Sequence, residues 1–144
     1  MPVRYVRHPP DGDRQGMAAT VHLAVLKLLD VLFHLAHIAV ILFSALGWLY
    51  PPARPAHLCL QGLILFSWFG LGIRKGWTYC FLTDLHWRVK QALHQPDPGD
   101  SYVKWLADRI AGREVDQELL WKVTVGVFFA TTALSALLEF RSRL

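Results

Sequence analysis

Apolar positions in this chain gather into three long runs separated by polar punctuation. The first, Val31 to Tyr50, holds twenty residues without a formal charge, about the length a helix needs to cross a hydrocarbon core. One side of it is polar. Lys27, Asp30, His34, His37, Ser44 and Gly47 follow one another at steps of three, four or seven, so they share a helix face. Leu23, Leu26, Leu29 and Leu32 carry the period upstream, so the helix is expected to begin before the membrane, with Thr20 a candidate cap. Trp48 and Tyr50 end it as interfacial aromatics before Pro51 and Pro52. The second run covers residues 56–73, with His57 and Gln61 its strongly polar members, and stops at Arg74 and Lys75. The short PPARP connection predicts an antiparallel hairpin, with Gly62, Gly70 and Gly72 permitting close approach. The third run, Val123 to Leu138, is uncharged and extends to 121–140 if Trp121, Lys122, Glu139 and Phe140 form its interfacial ends. Thr124, Thr131, Thr132 and Ser135 make it the most polar of the three.

Between the second and third runs lies a polar segment, 76–120. Residues 77–93 read as an amphipathic helix lying at the interface, with Trp77, Phe81, Leu85 and Leu93 near one side. QPDPGD is a loop by its turn residues, and SYVKWLADRIAG places Val103, Leu106 and Ile110 at helical spacing before a glycine stop. Residues 1–18 mix Pro9, Pro10, Gly12 and Gly16 with charges, the composition of a flexible tail.

The pattern therefore predicts an all-α fold. It is an integral membrane helical bundle of three transmembrane helices, spanning about 31–50, 56–73 and 121–140, plus one or two amphipathic interfacial helices. Residues 19–144 form a single membrane domain. Composition agrees, since 53% of the residues are hydrophobic. Charge then sets the orientation. Twelve Lys and Arg fall on the side holding the tail and segment 76–120, against three on the other, which predicts a multi-pass protein of a bacterial inner membrane with a cytoplasmic N-terminus. The net charge of +4 does not point to nucleic acid, because no basic run of five occurs. A small-residue cleavage site is also lacking, so no signal cleavage is expected. Cys59 and Cys80 form neither a disulfide framework nor a CxxC pair.

Candidate chemistry lies on the polar stripe. A carboxylate one turn below an imidazole can fix its tautomer and orient it toward a metal or a proton, and ionisable groups within a span are functional candidates by default. Asp30, His34 and His37, with Cys80, are the candidate metal ligands. His34, His37, His57 and His86 are the candidate cofactor ligands, for haem b or a quinone headgroup. In the plainer reading, Asp30 pairs with Lys27 and the histidines pack between helices. Counting along antiparallel helices sets Trp68 to Phe69 and Phe128 to Phe129 at the depth of His37, none of them a ligand. His57 lies about 18 Å away along the axis, so a bis-histidine haem within one copy requires His86 to fold back to the stripe. Around the turn of Trp77, Cys80, Leu82, Thr83, Asp84 and His86, a cysteine and a histidine six apart make a metal site only with His34 or His37. The plainer reading is a packed cysteine and a threonine cap. No phosphate loop or nucleophile elbow is present, so no catalytic residue is assigned.

The order of these residues resembles a family of small bacterial membrane proteins catalogued as domain of unknown function 2784. The resemblance rests on His37 ten residues before Gly47, on His57 after Pro55, on Gly76 and Trp77, and on Cys80, Phe81, Leu82 and Thr83. It continues through Tyr102 to Leu106 and the last apolar run, covering roughly residues 30–140. Phe81 stands where the family has Pro and His86 where it tends to have Glu. The resemblance implies the helical membrane fold and singles out His37, His57, Cys80 and Thr83. It carries no activity. The resulting expectation is an accessory or structural subunit of a membrane complex, held in the lipid bilayer beside a membrane-protein partner or a second copy. The alternative is a histidine-based haem, transition-metal or quinone site in a membrane redox protein.

Overall fold

The computed structural model describes residues 12–75, 80–95 and 101–144. Helix α1 runs over Gly12–Leu46. The expected tail is thus shorter: residues 12–18 belong to α1, and 1–11 lie outside the described residues. Thr20 is consequently no cap. It sits inside the helix, and its hydroxyl donates back to the Gly16 carbonyl at 2.8 Å.

Two 3-10 turns, Gly47–Leu49 and Pro51–Ala53, end α1 and turn the chain. The carbonyls this leaves open find partners: the Trp48 indole donates to Ala45 O at 3.0 Å, and Arg54 Nε to Trp48 O at 3.0 Å. Helix α2, Arg54–Leu65, opens with Pro55 in its first turn, where a missing N–H costs nothing. It continues through a π-helical turn, Phe66–Leu71, into the short α3, Gly72–Lys75. After the undescribed link come α4, Phe81–Ala92, and α5, Tyr102–Ala111. Ser101 caps α5, and Gly112 ends it at φ +65°, a conformation glycine adopts without strain. Helix α6, Gln117–Arg141, is capped by Asp116, whose carboxylate accepts from the Leu119 N–H at 2.6 Å.

No strand occurs among the described residues, so the fold is all-α. Two stretches are long and apolar enough to cross a membrane, Gly16–Leu49 and α6. The expected span at 56–73 is not a third of this kind. It is helical throughout, but its α-helical ladder is broken at Phe66 by the π turn.

Helices α1, α2 and α6 meet around one backbone oxygen, the Ser44 carbonyl. His57 Nε2 lies 3.0 Å from it, Gln61 Nε2 3.1 Å and Thr131 Oγ1 3.1 Å. Ser44 Oγ also donates to Gln61 Oε1 at 3.1 Å. Gly47 makes the approach possible, because a Cβ there would lie 2.9 Å from the His57 ring.

The interior is polar. Among the described residues the buried apolar side chains are Tyr102 and Phe128, whereas the buried polar ones are His37, His57, Gln61, Thr83, His86, Lys90, Thr131 and Ser135. Leu35, Leu42, Leu63, Phe66, Val123 and Leu137 are exposed. This is the reverse of a water-soluble core. Helix α4 follows the same rule. Thr83, His86 and Lys90 face inward, and Phe81 faces out. Thr83 is therefore not a cap but a buried residue of the first turn.

Candidate functional site

The site assembles where α4 and α5 lie against the middle of α1. Asp30 sits one helical turn before His34 and two before His37, which brings all three toward α4 and α5. From α4, His86 and Lys90 are one turn apart and reach the same carboxylate. His86 Nε2 lies 2.8 Å and Lys90 Nζ 3.0 Å from Asp30 Oδ1, with His34 Nε2 at 3.8 Å. The expected partner Lys27 is exposed instead. A carboxylate can only accept, so His86 donates from Nε2. Its Nδ1 is then a buried acceptor without a partner. Burial holds the His86 imidazole below its ordinary value, with the bond to Asp30 opposing, so the ring is neutral. Lys90 also donates to Gln95 Oε1 at 3.0 Å and lies over the Trp105 ring.

Tyr102, at the first position of α5, is the hub of an aromatic cluster. Its hydroxyl is 2.9 Å from His34 Nδ1, and its ring stacks on His37 at 3.9 Å. Burial and the nearby Asp30 charge push its phenol up from the ordinary value, so it remains an O–H group. His34 stacks on Trp105 and meets His86 edge-on, with centroids 4.5 Å apart. His37 is tied differently. The Phe33 carbonyl lies 2.7 Å from its Nδ1, and Thr83 Oγ1 3.2 Å from its Nε2. A carbonyl cannot donate, so His37 carries its proton on Nδ1 and accepts from Thr83 at Nε2.

On one side of this cluster is a cavity of about 350 Å³ between α1, α2, α4, α5 and α6. Its walls include His37, Thr83, Tyr102, Trp68, Trp121 and Phe128. Trp68 and Phe128, the positions that counting sets opposite His37, pack on each other at 4.9 Å. On the other side is a polar groove lined by Asp30, His34, Lys90, Tyr102, Trp105 and Arg109. Tyr102 is the residue common to both walls.

Family comparison adds one finding. The model described as Protein of Unknown function (DUF2784) matches residues 27–140. The chain belongs to the DUF2784 family. No curated protein and no solved structure matches it. The DUF2784 match takes in the stripe on α1, the knot at Ser44, and both α4 and α5.

Within this DUF2784 chain the candidate ligands separate into groups. Asp30, His34 and His86 come together, with ligand atoms within 4.8 Å of one another, so His86 does fold back to the stripe. Lys90, however, already supplies the positive charge on the oxygen where they converge. A divalent ion there would lie beside an ammonium group and compete with it. His37 stands next to this trio but spends both ring nitrogens on Phe33 and Thr83. Cys80 precedes α4 and lines the cavity as a free thiol. His57 belongs to the Ser44 knot, two turns along α1 from His37. Rings as close as His34 and His86 leave no room for a porphyrin ligated from both faces. Trp77 lies outside the described residues. Lys90 did not stand out from the sequence, and Tyr102 and Trp105 entered it only within the stretch carrying the family resemblance, although Thr83, His86 and Lys90 recur at steps of three and four like the stripe on α1.

Proposed function

We propose that this chain is an integral membrane protein of three antiparallel crossings whose interior holds a site for a small neutral molecule. The observation that carries this reading is the inverted polarity: side chains that hydrogen-bond are buried and large apolar ones are exposed. Hydrocarbon favours that arrangement and water does not. On this reading α2 with α3 is the middle crossing, and Trp68 of its π turn packs on Phe128 of α6. The cavity beside His37, Thr83 and Tyr102 is the binding site. The Asp30, His86 and Lys90 group is its neutralised support, holding α4 and α5 in place. The site of this chain, on this reading, binds a neutral molecule and not a metal or haem.

Extraction of membranes with alkaline carbonate tests the reading. The protein is expected to stay with the membrane pellet, and its release into the supernatant would contradict an integral protein.

A second reading, an accessory subunit, has its own observation. Between Gly16 and Leu29, α1 is exposed almost throughout, with Val21, Val25 and Leu28 facing outward. A partner helix in the same membrane would cover this half of α1.

A further inference from the structure

The geometry points to the ligand class that the cavity takes: a lipophilic ring carrying a neutral carbonyl or phenolic hydroxyl, the quinone and quinol class. This inference rests on the membrane-embedded site proposed above.

Size and walls set the first limits. A cavity of about 350 Å³ is in the range of small-molecule pockets. Trp68, Trp121, Phe128 and Tyr102 supply flat faces against which a ring can stack. Charge sets the next limit. The charged residue in the wall, Lys104, is paired with Asp108 one turn on. A carboxylate or phosphate entering the cavity would find no unpaired cation there, and a neutral head meets no such penalty.

The His37 and Thr83 pair then selects the head. Phe33 locks the His37 proton on Nδ1, leaving Nε2 as an acceptor on the cavity wall. Its present donor, the Thr83 hydroxyl at 3.2 Å, can rotate about one bond. A ligand hydroxyl donates to His37 Nε2 in place of Thr83. A ligand carbonyl accepts from the Thr83 hydroxyl once it turns away from His37. The pair therefore offers a donor or an acceptor to either form of one ring, whereas a hydrocarbon can use neither and leaves the Thr83 hydroxyl on His37. Tyr102 walls the cavity on the side of the polar groove and stacks on His37, so the head meets the aromatic cluster there.

Titration of decylubiquinone into the detergent-purified full chain, followed by quenching of tryptophan fluorescence, tests this. The comparison probes are decylbenzene, which lacks the oxygens, and decanoate, which bears a charge. Saturable quenching by decylubiquinone is expected. A Thr83→Val variant that melts like the parent is expected to weaken it about tenfold, the loss of one hydrogen bond. Decanoate is expected to leave decylubiquinone binding unchanged. Displacement of decylubiquinone by equimolar decylbenzene or decanoate, an unaltered affinity in Thr83→Val, or the absence of saturation would each overturn the inference. If carbonate leaves the protein in the membrane while any of these occurs, the ligand class alone fails. If carbonate releases the protein, the underlying membrane reading fails first.

Discussion

Asp30 decides how the site is read. Its carboxylate lies near the middle of α1, where an isolated charge would be costly, and α4 answers it with one ammonium and one imidazole on the same oxygen. Lys90 is buried at 5% exposure, so the dependence runs both ways. An Asp30→Asn variant leaves the ammonium without a counter-charge and is expected to lose about 3 kcal/mol of stability. Thermal unfolding in detergent measures it. Replacing both members, Asp30→Asn with Lys90→Met, is expected to recover most of that loss, because no buried charge then remains. A metal centre would behave differently, since removing Lys90 would expose the carboxylate to the ion and raise metal affinity. Half of this arrangement was legible. The steps from Asp30 to His34 to His37 placed three polar groups on one face of α1. The partner was not, because Lys27 is near in sequence while Lys90 is sixty residues away, and only tertiary packing brings it to Asp30.

At the scale of elements, polar contacts rather than apolar interdigitation fix how the helices meet. The Ser44 carbonyl gathers side chains from α2 and α6, and Gly47 lets the His57 ring reach it. A Gly47→Ala variant places a Cβ at 2.9 Å from His57 and 3.0 Å from Phe43. It is expected to cost about 1 to 3 kcal/mol, the range of an overpacked contact, and a lower melting temperature in detergent would show it. The proline turn at Pro51 and the stop at Gly112 followed from local chemistry and were readable, whereas the start of α1 at Gly12 was not. Nor was the orientation of α4. An interfacial amphipathic helix was readable from residues 77–93, but which polar residues it turns toward α1 was not. Beside Asp30 and His37 the better partners are Thr83, His86 and Lys90, and the apolar side is left to the surroundings. The π turn at Phe66 was equally unreadable, since a run of apolar residues with spaced glycines is compatible with an unbroken helix.

For the whole molecule the account comes down to what surrounds it. An all-helical chain that buries histidines, threonines and a lysine while exposing leucines and phenylalanines is stable where the outside is less polar than the inside. Family membership adds no activity to that, so the environment must be probed directly. Cys59 offers the probe. It lies in α2 about 8 Å from the helix start at Arg54 and is exposed on the surface of the chain. A thiol reacts as its thiolate, which forms in water and not in hydrocarbon. The most direct measurement is therefore the reaction of a hydrophilic maleimide with a Cys80→Ser variant, in which Cys59 is the remaining thiol, in intact membranes. The account predicts that Cys59 stays unmodified there and reacts at once after solubilisation in denaturing detergent. Equal labelling before and after solubilisation would place this face of the helix in water and contradict the inverted polarity on which the proposed function depends.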